Sequence, residues 1–366
     1  MSAPLSKPTA RMAVLLALAV VVYASLYPFE GWREETPVLA QWVLSPWPRY
    51  WTASDLWVNW LGYVPLGAVL ALWLCRRQAQ WWRVALATLL ASLVSLGMES
   101  VQSWMVHRVA SNLDWAFNTL GAASGAVAMR NFVRSAVLRS WGAWRQRHVS
   151  RGAGLMLLVL LLWLLLQGGP VLLPFAVGRL PPVLWEALWA AWARWMPAFE
   201  PLVWADVSWW WQVFSLAGLL VVPAGLLRFT WRDPWARLAV AWSFLALAML
   251  VPTLVHAWAY GWSHAGDWLL PAVAWSVLVA AMVVPLLMCL PARWVMWLLC
   301  MTLGLQWLGV NALAETSYWA LHWQAFTQGQ FVRWYGLLTW VAVLWPLLAV
   351  ALMLRSRWMS HSAAMA

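Results

Sequence analysis

At 366 residues, with 64% hydrophobic and 10% charged residues and a mean hydropathy of +0.70, the chain lies outside the range of soluble domains, which carry roughly 25% charged residues. Apolar runs near the ~20 residues needed to cross a bilayer recur along its whole length, so the solvent is lipid and not water. A net charge of +11 would suggest nucleic acid in a soluble protein, but the basic residues here sort by membrane side, which leaves lipids as the expected partner and excludes nucleic acid.

Apolar segments fall at 12–29, 56–75, 83–104, 113–130, 153–172, 209–227, 236–256, 269–290, 294–313 and 334–354. They predict an all-α, polytopic transmembrane bundle of about ten helices. With both termini in the cytoplasm, the inner segments hold 17 of the 23 Lys and Arg, while Asp233 alone of the 12 acidic residues lies inside. That asymmetry follows the positive-inside rule and orients a multi-pass protein with its basic segments inside; a bacterial plasma (inner) membrane is its expected location. The first segment also has the shape of a signal, since Lys7 and Arg11 precede an apolar run ending in the small residues Ala24 and Ser25.

Trp occurs 38 times, and clusters such as Trp81-Trp82 and Trp209-Trp210-Trp211 sit at segment boundaries, where an amphipathic ring prefers the headgroup layer. Between Pro181 and Glu200, Trp185, Leu188, Trp189, Trp192, Trp195 and Met196 recur at helical spacing, which predicts a short helix lying flat on the outer leaflet. Cys75, Cys289 and Cys300 show no metal-binding or disulfide spacing and read as packing residues. No HExxH or paired-His spacing suggests a metal, nothing suggests a cofactor, and no GxSxG, HExxH or two-aspartate motif suggests an enzyme.

Four short echoes run between the halves of the chain. Leu26-Tyr27-Pro28-Phe29 is followed at an offset of 146 by Leu172-Leu173-Pro174-Phe175, each closing a helix; Asp55 is matched by Asp206, Pro65-Leu66-Gly67 by Pro223-Ala224-Gly225, and Asp114-Trp115 by Asp267-Trp268. They are consistent with a degenerate four-plus-four helix repeat followed by two C-terminal helices, and equally with the common use of Pro and Gly in membrane helices.

The most polar stretch within any membrane segment places Glu99, Gln102, His107, Arg108, Asn112, Asp114 and Asn118 within twenty residues across the third and fourth helices. Glu99 and Gln102 share one helix face, as do Asp114 and Asn118, and the short loop at Arg108 folds the two helices into a hairpin. A carboxylate inside a membrane costs roughly 2.5–3.5 kcal/mol at the helix centre. Arg108 is therefore expected to pair with Glu99 or Asp114, with Gln102, Asn118 and Asn59 of the second helix completing the hydrogen bonds. Gly121 and Gly125 allow close helix approach. These residues serve either as an interhelical packing network or as an outward-facing polar pocket.

The ordered set Asn59, Pro65, Gly67, Glu99, Gln102, Arg108, Asp114, Asn118 and Gly121 resembles the VanZ-like family, as does the Leu26–Phe29 run. The resemblance implies a four-helix transmembrane domain over 10–131, followed by a basic cytoplasmic linker over 132–151 and a six-helix region over 152–355 that could hold a degenerate second copy. Pro65, Gly67, Gly121 and Gly125 then serve helix packing, and Asn59, Glu99, Gln102, Arg108, Asp114 and Asn118 line the candidate pocket. The family's link to glycopeptide resistance implies a cell-envelope role, with a lipid-linked or surface glycan as ligand, but no reaction. A transporter or flippase of amphiphiles and an intramembrane enzyme are the competing expectations.

Overall fold

The computed structural model describes residues 7–27, 29–34, 39–74, 80–106, 108–135, 140, 144–150, 153–169, 171–192, 202–318, 320 and 332–362. Regular structure among them is helical, and extended backbone pairs only in the isolated bridges Trp32–Met105, Val149–Trp231 and Leu202–Leu313. The chain divides into two compact units, Met1–Ala143 and Trp144–Ala366.

The first unit is built from α1 (Lys7–Leu26), α2 (Leu39–Val43), α3 (Ala53–Leu74), α4 (Trp81–Gln102) and α5 (Asn112–Arg134). Its core is made largely of small and branched residues: Val21 of α1, Leu66 and Ala71 of α3, Ala87 and Ala91 of α4, and Ala122 and Ala126 of α5. Small side chains let backbones approach, which is how helices associate when lipid tails compete equally for apolar surface. The closest pair is α3 with α5, because a β-carbon at Gly67 would strike the Ala122 carbonyl, one at Gly121 the Trp60 carbonyl, and one at Gly125 the Val64 carbonyl. Pro65 sits inside α3.

The second unit contains α6 (Ala153–Leu166), α7 (Pro182–Trp192), α8 (Trp209–Leu226), α9 (Pro234–Tyr260), α10 (Pro271–Cys289), α11 (Ala292–Ala312) and α12 (Val332–Ser362). Trp163, Leu166, Phe175, Leu220, Leu226 and Trp345 are among its fully buried side chains. The Trp345 indole donates to the Val159 carbonyl at 2.8 Å, so even its polar edge is used internally. Of the three cysteines, Cys300 packs against this core, Cys289 is exposed and is not a packing residue, and Cys75 lies outside the described residues.

Every predicted apolar segment holds a helix. Seven of them, α3, α4, α8, α9, α10, α11 and α12, are long and apolar enough to cross a membrane, while α1 and α6 carry shorter apolar stretches. α5 is 23 residues long, but Asn112, Asp114, Asn118 and its glycines dilute its hydropathy, and its small face is spent on α3. The chain is thus a helical membrane bundle. A helix is present after Pro181 as α7, and the part of that prediction beyond Trp192, with Trp195 and Met196, lies outside the described residues.

The fifth segment departs from expectation. α6 stops at Leu166, well short of Pro174, because Gly168 and Gly169 close the last turn with hydrogen bonds to Leu165 and Leu166 carbonyls, both at 3.0 Å. The residues from Val171 to Gly178 are buried but not helical. Their backbone is satisfied from elsewhere in the unit: Asn311 Nδ2 donates to Gly178 O at 3.0 Å, Leu180 N donates to Asn311 Oδ1 at 2.8 Å, Gly178 N donates to Ala342 O at 2.9 Å, and Thr316 donates to Leu172 O. Irregular backbone is tolerated at membrane depth only when protein supplies such partners. Asn311 is therefore a buried clamp.

Some geometry recurs in the two units. Phe29 (φ +66°) and Phe175 (φ +71°) are the non-glycine residues with left-handed backbone among those described, and both follow the Pro of the matched runs. In the first unit α3 packs most closely on α5, and in the second α8 packs most closely on α10. The Trp115 indole, in the first turn of α5, donates to Ser92 Oγ at 3.1 Å, and the Trp268 indole, in the turn just before α10, donates to Thr253 Oγ1 at 3.2 Å, each reaching a hydroxyl of the helix before it.

Candidate functional site

One end of the first unit gathers the polar groups. Ser95, Glu99 and Gln102 follow one another at helical spacing on the same face of α4 and are buried, at 0%, 4% and 7% exposure. Asn59 and Tyr63, four apart on α3, and Asn118 on α5 are buried as well. In a bundle whose solvent is hydrocarbon, each such group must find a partner or carry a cost of several kcal/mol.

Most of these demands are met by backbone. Gln102 Nε2 donates to the Ser25 carbonyl at the end of α1 at 2.8 Å, and Ser111 N donates to Glu99 Oε2 at 3.1 Å. Asn118 Nδ2 donates to Ser95 Oγ at 3.0 Å, joining α5 to α4. Next to it, Ser92 Oγ accepts from Thr119 Oγ1 at 2.9 Å as well as from the Trp115 indole. α4 and α5 are thus stitched along their facing sides, and the polar face of α4 reaches α1 through Gln102.

Two groups in this cluster are left over. The Tyr63 hydroxyl lies close to Ser95, Ser25 and Glu99, yet it and Asn118 Oδ1 are buried without a hydrogen-bond partner among the described residues. A hydroxyl that can donate and accept, and an amide oxygen that can only accept, stand beside a carboxylate. Sequence reading missed Tyr63 and Ser95. The signal was helical spacing: Tyr63 is four residues after Asn59, and Ser95 four before Glu99.

Arg108 and Asp114 occupy the rim and are half-buried. Arg108 Nη2 donates to the Tyr27 carbonyl at 3.1 Å, tying the α4–α5 connection to the end of α1. That connection is held further by Arg33 N to Trp104 O and Val106 N to Gly31 O, both at 2.7 Å. Asp114 lies in the first turn of α5, where a carboxylate suits the helix dipole, and its N–H donates to the Ser111 cap at 3.3 Å. Asn112 reaches outward, donating to the Ser45 carbonyl at 2.6 Å. His107 lies outside the described residues. The structure therefore brings Glu99, Gln102 and Asn118 into the buried cluster, buries Asn59 one turn before Tyr63 on α3, and leaves Arg108 in the α4–α5 loop and Asp114 in the first turn of α5.

Among the described residues of this unit, the acidic ones, Glu30, Glu34, Asp55, Glu99 and Asp114, lie toward the same end, and the sequence has none in residues 1–29, 56–98 or 115–143. Above the cluster, Tyr23 stacks on Tyr27 with centroids 5.4 Å apart and meets Phe29 edge-on at 5.7 Å. The Trp32 indole donates to the Phe29 carbonyl at 3.0 Å. What results is a buried set of hydrogen-bonding groups with unused capacity, capped by an acidic and aromatic rim.

Residues 6–134 match the VanZ/LLP1 family model, so the first unit carries a VanZ-like domain. Neither the curated proteins nor the solved structures give a match to the chain.

Proposed function

We propose that the VanZ-like domain binds the polar part of a lipid-linked or cell-envelope glycan at the end of the unit formed by Asn59, Glu99, Gln102, Arg108, Asp114 and Asn118. What supports the reading is the unused hydrogen-bonding capacity of Tyr63 and Asn118 beside Glu99. A packing network gains most when every member is satisfied, and a half-satisfied one is less stable than apolar packing. Hydroxyl groups, which donate and accept, are the chemistry that would complete this set. On the same reading the end carrying the site faces outward in a bacterial inner membrane and acts on the response to glycopeptide antibiotics. The second unit is then a degenerate copy, for Ala217 and Val221 stand where the Pro65–Pro223 register places Asn59 and Tyr63.

The test is susceptibility of a bacterium expressing the chain to glycopeptides and other envelope-targeting antibiotics, with protein abundance checked by blotting. Glu99→Gln, Arg108→Ala, Asp114→Asn and Tyr63→Phe are expected to abolish the effect of the wild-type chain. Tyr63→Phe separates binding from packing. It removes a hydroxyl that lies beside Ser95, Ser25 and Glu99 without a fully formed hydrogen bond among the described residues, so thermal stability in detergent stays level within about 1 kcal/mol while the phenotype is lost. Wild-type behaviour of all four variants at normal abundance would end the binding reading.

A further inference from the structure

In the second unit a short turn joins α8 to α9, and an arginine stands on each side of it. Arg228 lies in the single 3-10 turn Leu227–Phe229 that extends α8, and Arg237 lies in the first turn of α9, which Asp233 caps. Both α8 and α9 are long and apolar enough to cross a membrane, so the turn sits at a membrane boundary. The exposed Trp235 and Trp294, in the first turns of α9 and α11, suit the same headgroup layer.

Arg237 is fixed by backbone: its Nε donates to the Trp231 carbonyl at 2.7 Å and its Nη2 to the Arg232 carbonyl at 2.9 Å. Arg228 is near enough for the two guanidinium groups to repel each other, and it lies beside the thiol of Cys289 at the end of α10. The Arg228 Nε–H is buried without a hydrogen-bond partner among the described residues, and so is the indole N–H of Trp231. A guanidinium and an indole only donate, so what completes this turn is an acceptor.

Negative charge is scarce here. Asp233 is the one acidic residue between Asp206 and Asp267. It attracts Arg237, but its Oδ2 already accepts from Ala236 N at 2.6 Å as the helix cap. The segment paired with the turn, through Ser150 N to Thr230 O at 2.8 Å and Arg232 N to His148 O at 2.9 Å, contributes Arg145 and Arg147 and no acid. Carbonyl oxygens orient a guanidinium without cancelling its charge, which leaves the turn with a positive excess in a layer where a bilayer presents phosphates.

We propose that the α8–α9 turn is a binding site for a phosphate group, supplied by the headgroup of an anionic phospholipid and held by Arg228, Arg237 and the Trp231 indole. Planar guanidinium groups suit phosphate oxygens in a way that a lysine point charge does not. The two carbonyls that hold Arg237 fix its plane before the lipid arrives. This site is in the second unit and does not depend on the function of the polar cluster in the first.

The experiment uses the full chain in nanodiscs of equal parts phosphatidylglycerol and phosphatidylcholine, with the lipids retained on release counted by native mass spectrometry. Wild-type protein is expected to retain phosphatidylglycerol preferentially. Arg228→Gln and Arg237→Gln should each lower that preference about fivefold, and Trp231→Phe, which removes only a donor, about threefold. Arg293→Gln, on an exposed side chain in the first turn of α11, should change it little. Arg228→Lys keeps the charge but not the planar fork and should also weaken the preference, which decides the matter if Arg228→Gln does not fold. An Arg228→Lys protein with the full wild-type preference would overturn the proposal, as would an equal loss in Arg293→Gln, the mark of a diffuse field. Release of the lipid by millimolar inorganic phosphate would overturn it in favour of a soluble anion.

Discussion

Phe29 and Phe175 adopt the same left-handed backbone in different surroundings, and the difference sets what each is worth. Phe175 is fully buried, 6.3 Å from the Trp163 ring and 6.0 Å from that of Trp268, so packing can offset a conformation that costs ~1–3 kcal/mol for a bulky residue. Phe29 is 44% exposed and rests on Tyr23 alone among the recorded ring contacts. Phe29→Gly should therefore stabilise the protein by about 1 kcal/mol, whereas Phe175→Gly should destabilise it by ~3–5 kcal/mol, read by thermal unfolding in detergent. At this scale the acidic and amide members of the candidate site were legible, because Glu99, Gln102 and Asn118 are conspicuous in an apolar run. Tyr63 and Ser95 were not, since either type is at home in a membrane helix for other reasons.

Helix contacts in the first unit depend on glycine at the α3–α5 crossing. A β-carbon at Gly121 would overlap the Trp60 backbone, and a backbone carbonyl cannot swing aside as a side chain can. Gly121→Leu should separate the helices and abolish monodisperse protein in size-exclusion chromatography, with Gly62→Leu as the control, since nothing lies within 4 Å of that position. The small-residue spacing that foretold this contact is local in sequence, which is why it could be read. The fifth apolar segment was misread for the opposite reason. Val171, Leu172 and Leu173 continue the run beyond α6, yet Gly168 and Gly169 end the helix, and the partners that satisfy the buried backbone come from Asn311, Thr316 and Ala342, more than a hundred residues away. Hydropathy cannot show a hydrogen bond formed across that distance.

The first unit has its own core and its own closest helix pair, which predicts that residues 1–143 fold without the rest. Expressed alone, this fragment should be monodisperse in detergent and helical by circular dichroism, and an aggregated product would refute its independence. The all-helical membrane fold and the VanZ-like character of residues 6–134 were both legible because lipid imposes length and composition on every span. The second unit offers no comparable motif, so its purpose was not readable from side chains alone. Its buried irregular stretch does have a practical consequence for anyone mapping the chain's path. Residues 171–178 are sealed by protein, so thiol labelling or limited proteolysis would score them as membrane-embedded and draw one continuous crossing through a place where the helix has already ended.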